Sequence, residues 1–249
     1  MESQMYQEMM EVEDKHWWFV ARRSIIEQVL KRLNLPKDAE IFEAGCGTGG
    51  NLALLSRYGQ VYGMELDEDA RTFASTLQIG KIEPGCLPNH LPFPDQKFDL
   101  IVLLDVLEHL QEDQASLQAL STKLKPSGYL LITVPAFPWL WTKRDELLHH
   151  KRRYTLENLR FIVSSAGYKI NTVNYFNFIL FPLIAGVGRL QNLLNKGGNE
   201  QALPPLLINK ILTLLFGFER HLINRVSLPF GVSILLLATT NKIRITNSP

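Results

Sequence analysis

The feature that most constrains the fold of this chain is a run rich in glycine, EAGCGTGG, which begins at Glu43. Glycines between an apolar stretch and a helical stretch let the backbone turn sharply and approach a ligand closely, with the free N–H groups of the helix behind it. The next apolar stretch ends in Glu65, 20 residues beyond Gly45, where a carboxylate can accept hydrogen bonds from both hydroxyls of a ribose. The run therefore predicts a nucleoside-binding loop, and a glycine-rich turn without a ligand is the alternative.

Short apolar stretches alternate with amphipathic stretches from Ala39 onwards. This alternation predicts parallel strands joined by helices, with helices covering both faces of the sheet. A helix from about Met5 to Leu33 precedes the alternation. After Pro135 we expect a charged and aromatic loop, a helix that begins at Thr155, a strand, several apolar helices and a last strand. The predicted strands are residues 39–45, 60–66, 80–85, 97–107, 129–136, 168–176 and 231–241.

Four motifs carry a resemblance to a known family: EAGCGTGG, VYGMELDEDA, LPFPDQKFDLIVLLDVLEHL and LKPSGYLLITVP. In this order and spacing, over residues 39–135, they resemble class I S-adenosylmethionine-dependent methyltransferases. The resemblance implies a Rossmann-like α/β fold, with a seven-stranded, mostly parallel sheet whose last strand is antiparallel and with helices on both faces. It also implies S-adenosylmethionine as the cofactor, S-adenosylhomocysteine as the product and residues 39–249 as the methyltransferase domain.

The resemblance assigns the cofactor contacts by position. Gly45 and Gly47 would approach the methionine and ribose part, and Glu65 would hold the ribose. Asp105 and Val106, at the end of the fourth strand, would line the cofactor near its reactive end. The full set of expected cofactor-binding residues is Trp17, Arg22, Glu43, Gly45, Gly47, Glu65, Leu66, Cys86, Leu87, Asp105 and Val106.

Two of these residues depart from the family pattern. Glu65 stands where Asp is commoner, and it still allows both ribose hydroxyls to be bound. Cys86 stands where an Asp often binds the amino group of the adenine, so that contact would pass to backbone groups.

An aromatic segment, HWWF, begins at His16 and is followed by Arg22 and Arg23. It resembles an N-terminal segment found in one branch of these methyltransferases. We expect residues 1–38 to form a helical lid that closes over the cofactor and excludes water, with Trp17 among its contacts. Packing of the rings against the domain is the alternative, and the two roles are compatible.

Three histidines are the candidate catalytic residues. His149 and His150 lie in a basic loop after the fifth predicted strand, residues 129–136. Open parallel sheets bind ligands beyond the carboxyl ends of their strands, where this loop is expected. Both histidines could act as general bases there. His109 follows the fourth strand. The alternatives are a solvated basic loop and a histidine that only caps a helix. The sequence shows no clear cluster of metal ligands, so we expect no metal.

The segment at about 177–227 is an apolar insertion before the last strand. It could cover an apolar substrate pocket, contact lipid or headgroups, form the face of a homodimer, or enlarge the core. The stretch between Lys169 and Arg189 contains no charge and approaches the length of a membrane span. It also contains asparagines, glycines and a proline and begins like a strand, so we expect no transmembrane helix.

Composition excludes several classes of protein. The formal net charge of +1 does not indicate a nucleic-acid binder. The two cysteines are too few for a disulfide framework or a structural zinc site. The acidic N-terminus does not have the form of a secretory signal. We therefore expect a cytoplasmic protein, with peripheral membrane contact through the insertion as an open option.

These features predict methyl transfer from S-adenosylmethionine to a small-molecule or lipid-linked acceptor by in-line displacement. Two other functions stay open. One is a non-catalytic scaffold that binds the cofactor. The other is an NAD-dependent oxidoreductase, because Gly45, Gly47 and Gly50 also fit the dinucleotide fingerprint. The residues identify neither the acceptor nor the oligomeric state.

Overall fold

The computed structural model describes residues 10–194 and 203–240. Its centre is a seven-stranded sheet with the strand order β3-β2-β1-β4-β5-β7-β6. Neighbouring strands from β3 to β5 are parallel, whereas β7 is antiparallel to both β5 and β6. This confirms the predicted sheet. The strands are β1 (Glu40–Ala44), β2 (Gln60–Glu65), β3 (Lys81–Pro84), β4 (Phe98–Leu104), β5 (Leu124–Pro135), β6 (Tyr168–Phe176) and β7 (Ser233–Thr240).

Helices connect the strands and cover the sheet. Thr155 accepts a hydrogen bond from the backbone N–H of Asn158 and so caps α6 as predicted. The helices are α1 (Trp17–Leu30), α2 (Leu52–Leu55), α3 (Glu68–Thr76), α4 (Asp113–Ser121), α5 (Lys143–Leu147), α6 (Leu156–Ser165), α7 (Phe181–Leu193) and α8 (Leu206–Phe218). Single 3₁₀ turns occupy Leu107–His109, Pro138–Leu140 and Glu219–His221.

Two hydrophobic layers lie on opposite faces of the sheet because side chains alternate along a strand. In β4, Ile101 and Leu103 point into the layer that holds α4 and α6. Leu100 and Val102 point into the other layer, which holds α1, α2 and Phe216 of α8. Helix α8 comes from the apolar insertion, yet it packs beside the N-terminal helix.

The N-terminal helix is shorter than predicted. It begins at Trp17, where His16 is the N-cap and its ring accepts the N–H of Trp18 at 3.3 Å. Residues 10–12 form a separate helical turn, and the predicted portion before Met10 lies outside the described residues.

The insertion forms α7 and α8 on either side of residues 195–202, which lie outside the described part of the chain. The uncharged stretch between Lys169 and Arg189 is not one helix. Its first part lies in β6, which ends at Phe176, and its last part lies in α7, which begins at Phe181. Among the described residues, no helix is long and apolar enough to cross a membrane.

Candidate active site

The carboxyl ends of the parallel strands open into a cavity of about 800 Å³. Its walls come from the loops after β1, β2, β3, β4 and β5, from α1, α7 and α8, and from the beginning of β7. A volume of this size is at the upper end of the range for small-molecule sites. Of the predicted site residues, those that line it are Trp17, Arg22, Gly45, Gly47, Glu65, Leu66, Cys86, Leu87, Asp105, Val106, His109, His149 and His150.

The glycine loop has the conformation that only glycine adopts freely. Gly45 and Gly47 have φ angles of +80° and +55°. A Cβ atom on Gly45 would lie 2.8 Å from Cγ2 of Val106, whereas a Cβ on Gly47 would meet nothing within 4 Å. The N–H of Gly45 donates to the carbonyl of Met64 at 2.8 Å, which fixes the loop against β2. The loop therefore presents bare backbone to the cavity.

Glu65 lies at the end of β2 beside this loop. Its Oε2 accepts the N–H of Gly47 at 2.8 Å, and its Oε1 accepts the N–H of Asp67 at 3.0 Å. A carboxylate offers about four lone-pair sites, so further sites stay available for hydroxyl donors. The carboxylate is thus held in place for the predicted contact with a ribose.

A buried polar network connects α1 with the glycine loop and with the end of β4. Arg22 forms an ion pair with Asp105, and its Nη2 donates to Oδ1 of Asn51 at 3.5 Å. Asn51 in turn donates to Oε1 of Glu43 at 2.8 Å. Asp105 has a φ of +60°, which is costly for a residue other than glycine, and Thr133 also donates to its Oδ1 at 3.1 Å. The network holds the end of β4 in this strained conformation.

Glu43 belongs to this network and lies behind the loop, away from the cavity wall. Burial raises the pKa of its carboxyl to about 8, although the hydrogen bond from Asn51 acts in the opposite direction. Glu43 is therefore protonated at neutral pH. It is placed to support the glycine loop through Asn51, a residue that the sequence analysis did not single out.

At the predicted adenine end, Cys86 and Leu87 line the cavity. The N–H of Cys86 donates to the carbonyl of His90 at 2.9 Å, and its carbonyl accepts the N–H of His90 at 2.8 Å. The backbone N–H and carbonyl of Cys86 thus already have partners within the chain, so little of the backbone contact expected there stays available for an adenine. Leu66 is exposed beside Glu65 and supplies an apolar surface to the same end.

The aromatic segment before and within α1 both lines the cavity and packs on α8. The rings of Trp17 and Trp18 lie 5.9 and 5.3 Å from the ring of Phe216. The N–H of Trp17 donates to Oδ1 of Asn209 at 2.9 Å. Both roles expected of this segment are therefore compatible with its position.

Glu13 lies directly over the glycine loop, a position that its place in the sequence did not predict. Its Oε2 accepts the hydroxyl of Thr48 at 3.1 Å and would collide with a Cβ on Gly50. Arg23 ties the two segments together, because it donates to the carbonyls of Glu13 at 2.7 Å and of Gly50 at 3.3 Å. Burial raises the pKa of Glu13. Only its acidic character in the sequence could have drawn attention to it.

His150 and His109 meet at the other side of the cavity. Their ring centroids are 4.7 Å apart, with the planes at 84°. Burial and the nearby His150 lower the pKa of His109 to about 4, so its ring is neutral at pH 7. His149 is exposed, has a φ of +57° and lines the cavity nearby. The three predicted histidines thus lie in one region.

Asp145 orients His150. Its Oδ1 lies 2.8 Å from Nδ1 of His150. Arg153 donates from Nε to the same Oδ1 at 2.8 Å and from Nη2 to Oδ2 at 2.9 Å. Burial alone would raise the pKa of Asp145, but the hydrogen bonds from His150 and Arg153 lower it below its usual range. Sequence reasoning did not identify Asp145, because nothing in a charged loop shows which carboxylate becomes buried.

The loop that carries His150 is bound to the turn after β4. The N–H of Lys151 donates to the carbonyl of Glu108 at 2.7 Å. Arg152 and Tyr154 both bind Oδ2 of Asp113, at 2.9 and 3.0 Å. These contacts bring together residues that are about 40 positions apart in the chain.

A family model described as "Methyltransferase domain" matches residues 16–173 of this chain, which is more than half of it. The match includes the aromatic segment, the glycine loop and the loop that carries the histidines. It stops before the apolar insertion.

Individual relatives agree with that model. A protein of Mycolicibacterium smegmatis named "Probable S-adenosylmethionine-dependent methyltransferase" is 26% identical over 173 residues, which are 66% of this chain and 64% of that protein. The demethylmenaquinone methyltransferase of Tropheryma whipplei is 28% identical over 159 residues, 62% of each chain. The matched part therefore spans about three fifths of the length of these curated relatives.

Solved structures of the same fold extend over nearly the whole chain. One is an S-adenosylmethionine-dependent methyltransferase from Thermotoga maritima. It has a TM-score of 0.59 and 18% identity, and the match covers 96% of this chain and 100% of that one.

Proposed function

This chain belongs to the methyltransferase domain family, and we propose that it transfers a methyl group from S-adenosylmethionine to a small, apolar or lipid-linked acceptor. The observation that carries this proposal is one cavity whose lining includes both the glycine loop with Glu65 and apolar residues of α7 and α8. A cofactor and an apolar acceptor can therefore meet in one enclosure.

The residues of the loop fit the cofactor. The open space at Gly47 is the place that any side chain would fill, and Glu65 is already oriented by two backbone N–H groups. S-adenosylmethionine supplies, when bound, a methyl group that is already activated by its positively charged sulfur, and S-adenosylhomocysteine is the product. The carboxylate of Glu65 would accept the ribose hydroxyls, and Leu66 and Leu87 would bracket the adenine.

The acidic groups over the loop would complete the cofactor site. Glu13 lines the cavity beside Thr48 and is suited to accept hydrogen bonds from an ammonium group. Asp105 and Val106 line the cavity where it meets the glycine loop, with Val106 beside Gly45. Trp17 and Trp18 exclude water from that end, which protects a reactive methyl donor.

The histidines would act on the acceptor. If the attacking atom carries a proton, a neutral imidazole within hydrogen-bond reach can accept it. The Nδ1 atom of His150 faces Asp145, so its Nε2 is the atom that stays available for the acceptor. His109 and His149 are the other candidates. The backbone and side chains that hold these rings would align the acceptor with the methyl group.

The insertion indicates what kind of acceptor fits. Leu183, Ile184, Val187 and Leu212 line the cavity from α7 and α8. Arg189 lines it too, with its guanidinium 5.0 Å from the ring centroid of Trp139. An acceptor with an apolar body and a polar or anionic group matches this wall. The relative named for demethylmenaquinone supports the same chemical class.

The outer surface of the insertion favours contact with a membrane. Leu207 and Leu214 of α8 are 71% and 73% exposed, and Leu193 of α7 is 83% exposed. Large apolar side chains exposed in this number are unusual for a protein that meets only water. Lys210 and Arg220 add positive charge beside them, which favours anionic headgroups. A lipid-linked acceptor could then enter from the bilayer, while a homodimer face is the competing role.

Calorimetry of the purified full chain tests the cofactor. We expect micromolar binding of S-adenosylmethionine and S-adenosylhomocysteine and none of NAD. Binding of NAD alone would support the oxidoreductase. Binding of the adenosyl compounds without methyl transfer to any lipid or small acceptor would support the scaffold.

Flotation with vesicles that contain anionic lipid tests the surface. We expect the chain to float with the vesicles at low salt. A protein that stays in the dense fraction and sediments as a dimer would assign the apolar surface to a homodimer instead.

A further inference from the structure

Three potential metal ligands meet at the acceptor side of the cavity. A carboxylate oxygen of Glu108 and one ring nitrogen each of His109 and His150 all lie within 4.8 Å of one another. Glu108 and His109 are in the 3₁₀ turn after β4, whereas His150 comes from the loop after α5. All three residues line the cavity.

Glu108 is an independent observation that points to a cation at this place. Its side chain is 1% exposed, and its Oε2 has no hydrogen-bond partner among the described residues. Arg22 and Arg153 lie in the same region, but they are paired with Asp105 and Asp145. A buried carboxylate oxygen without a partner is costly, and a bound cation would remove that cost.

His150 has the orientation of a metal ligand. Its Nδ1 lies 2.8 Å from Oδ1 of Asp145, which leaves Nε2 as the atom available for coordination. A carboxylate behind a histidine is the usual outer partner of such a ligand, because it fixes the ring and increases its basicity. Asp145 is held by Arg153 and by the N–H of Thr142 at 2.8 Å.

We propose that Glu108, His109 and His150 bind one divalent transition-metal ion, of the kind that takes two imidazoles and one carboxylate. Zn²⁺, Mn²⁺ and Fe²⁺ accept such ligands. Around an ion with bonds of about 2.0–2.2 Å, ligand atoms lie about 3–3.5 Å apart. The widest of the three separations would therefore need to close by at most roughly 1.5 Å to hold an ion.

Three protein ligands leave at least one coordination position open, as in metal sites that bind a substrate. His109 and His150 line the cavity, so an open position on the ion would be reached from it. It would hold an oxygen atom of the acceptor. In this arrangement the rings of His109 and His150 would bind the ion rather than a proton, and His149 would remain as the nearby imidazole for a proton. This role rests on the proposed methyl transfer, whereas metal binding itself does not.

Metal binding can be measured directly on the full chain. After treatment with EDTA, the protein is dialysed against Zn²⁺, and bound metal is determined by elemental analysis. Titration with Co²⁺ follows the same site through its visible absorption. We expect one ion per chain and a rise in Tm when metal is added. No stoichiometric binding by the intact chain would overturn the proposal.

Variants locate the ion. Glu108→Gln keeps the size of the side chain and removes its charge, and His150→Ala removes one imidazole. Both should weaken Zn²⁺ binding by at least about tenfold. His90→Ala, which removes an exposed imidazole elsewhere, should bind as the unaltered chain does. Equal affinity in all four proteins would overturn the assignment. Circular dichroism in EDTA confirms that each variant is folded before it is compared.

Asp145 acts as a positioning residue in this scheme. Asp145→Asn should weaken Co²⁺ binding by about tenfold to a hundredfold. At saturating Co²⁺ the visible band should still appear, because the three ligands remain. An unchanged affinity would remove Asp145 from the scheme.

Measurements of metal and of S-adenosylhomocysteine on one protein distinguish a failure of the metal site from a failure of the proposed function. Binding of S-adenosylhomocysteine in EDTA should equal binding in the presence of Zn²⁺, since the two sites use different residues. If S-adenosylhomocysteine binds and metal does not, the metal site fails alone. If metal binds and S-adenosylhomocysteine does not, the methyltransferase assignment fails and the metal site stands.

Discussion

The two ends of the cavity are built differently. At the cofactor end, polar side chains bind one another, from Glu43 through Asn51 and Arg22 to Asp105. At the acceptor end, the walls include apolar helices whose outer faces are exposed. Buried polar atoms without a partner in the described chain occur in both regions: Nε of Arg22 and Oε2 of Glu43 in the first, and Oε2 of Glu108 in the second.

The difference separates a region that is held by its own hydrogen bonds from a region that offers surface to a partner. A connected network holds the glycine loop and the end of β4 in one conformation. The apolar helices and the unpartnered carboxylate instead leave surface for an acceptor, a membrane or an ion to cover. Substitutions in this network should therefore cost stability, whereas those on the exposed apolar helices should change binding.

Loss of Arg22 should have the largest effect. Arg22→Met keeps the apolar part of the side chain but leaves Asp105 without its partner in a strained conformation. We expect a loss of about 3–5 kcal/mol in the free energy of unfolding, measured with urea. The matched control is Arg57→Met, which breaks the exposed pair with Glu27 and should cost at most about 1 kcal/mol. Equal losses would contradict the network.

The pH dependence of stability tests Glu43. Its pKa is about 8 in the folded chain and near the ordinary 4.5 when unfolded. Between these values the folded state binds the extra proton, so the free energy of unfolding falls as the pH rises.

From pH 5 to pH 8 this fall amounts to about 3 kcal/mol, and Glu43→Gln should abolish it. Urea unfolding of both proteins at the two pH values measures the difference. Parallel pH profiles would show that Glu43 is ionised in the folded chain.

A side chain on Gly45 should damage both fold and cofactor binding. Gly45→Ala combines a left-handed φ with a Cβ 2.8 Å from Val106. We expect a loss of about 2–3 kcal/mol in stability. Gly167→Ala has a similar φ but nothing within 4 Å, so it isolates the backbone cost. It should lose about 1 kcal/mol and bind S-adenosylhomocysteine normally.

Glu65→Ala should weaken binding of S-adenosylhomocysteine by about 1.5–3 kcal/mol, because a charged hydrogen-bond acceptor is lost. Calorimetry measures the change. Glu68→Ala, on the exposed side of α3, is the control and should bind as the unaltered chain does. An unchanged Kd for Glu65→Ala would show that Glu65 does not bind the ribose.

The smallest effect on stability is expected at the acceptor end. The double substitution Leu207→Ser and Leu214→Ser should change the free energy of unfolding by less than about 0.5 kcal/mol, since both residues are exposed. It should nevertheless reduce flotation with anionic vesicles. Unaltered flotation would show that these residues of α8 do not contact the membrane.

Much of the cofactor end could be predicted from the sequence because its signals are local. Gly45, Gly47 and Glu65 are close to one another along two strand ends, and parallel strands bring those ends to one edge of the sheet. The same rule placed Asp105 and the histidine loop at the cavity. The contacts of Arg22 and Glu43 with Asn51 could not be predicted, since nothing in the spacing links α1 to the glycine loop.

The sequence by itself determined the strand and helix alternation, the sheet with its reversed strand, and the family. The alternation follows from the periodicity of apolar residues and from a backbone turn that only glycine allows. The reversed strand and the family follow from the resemblance of four motifs to a known family. The tertiary structure alone decided that α8 packs beside α1, that Glu13 covers the loop, and that Glu108, His109 and His150 meet. Those contacts join distant parts of the chain, and the packing of whole elements, rather than any local pattern, brings them together.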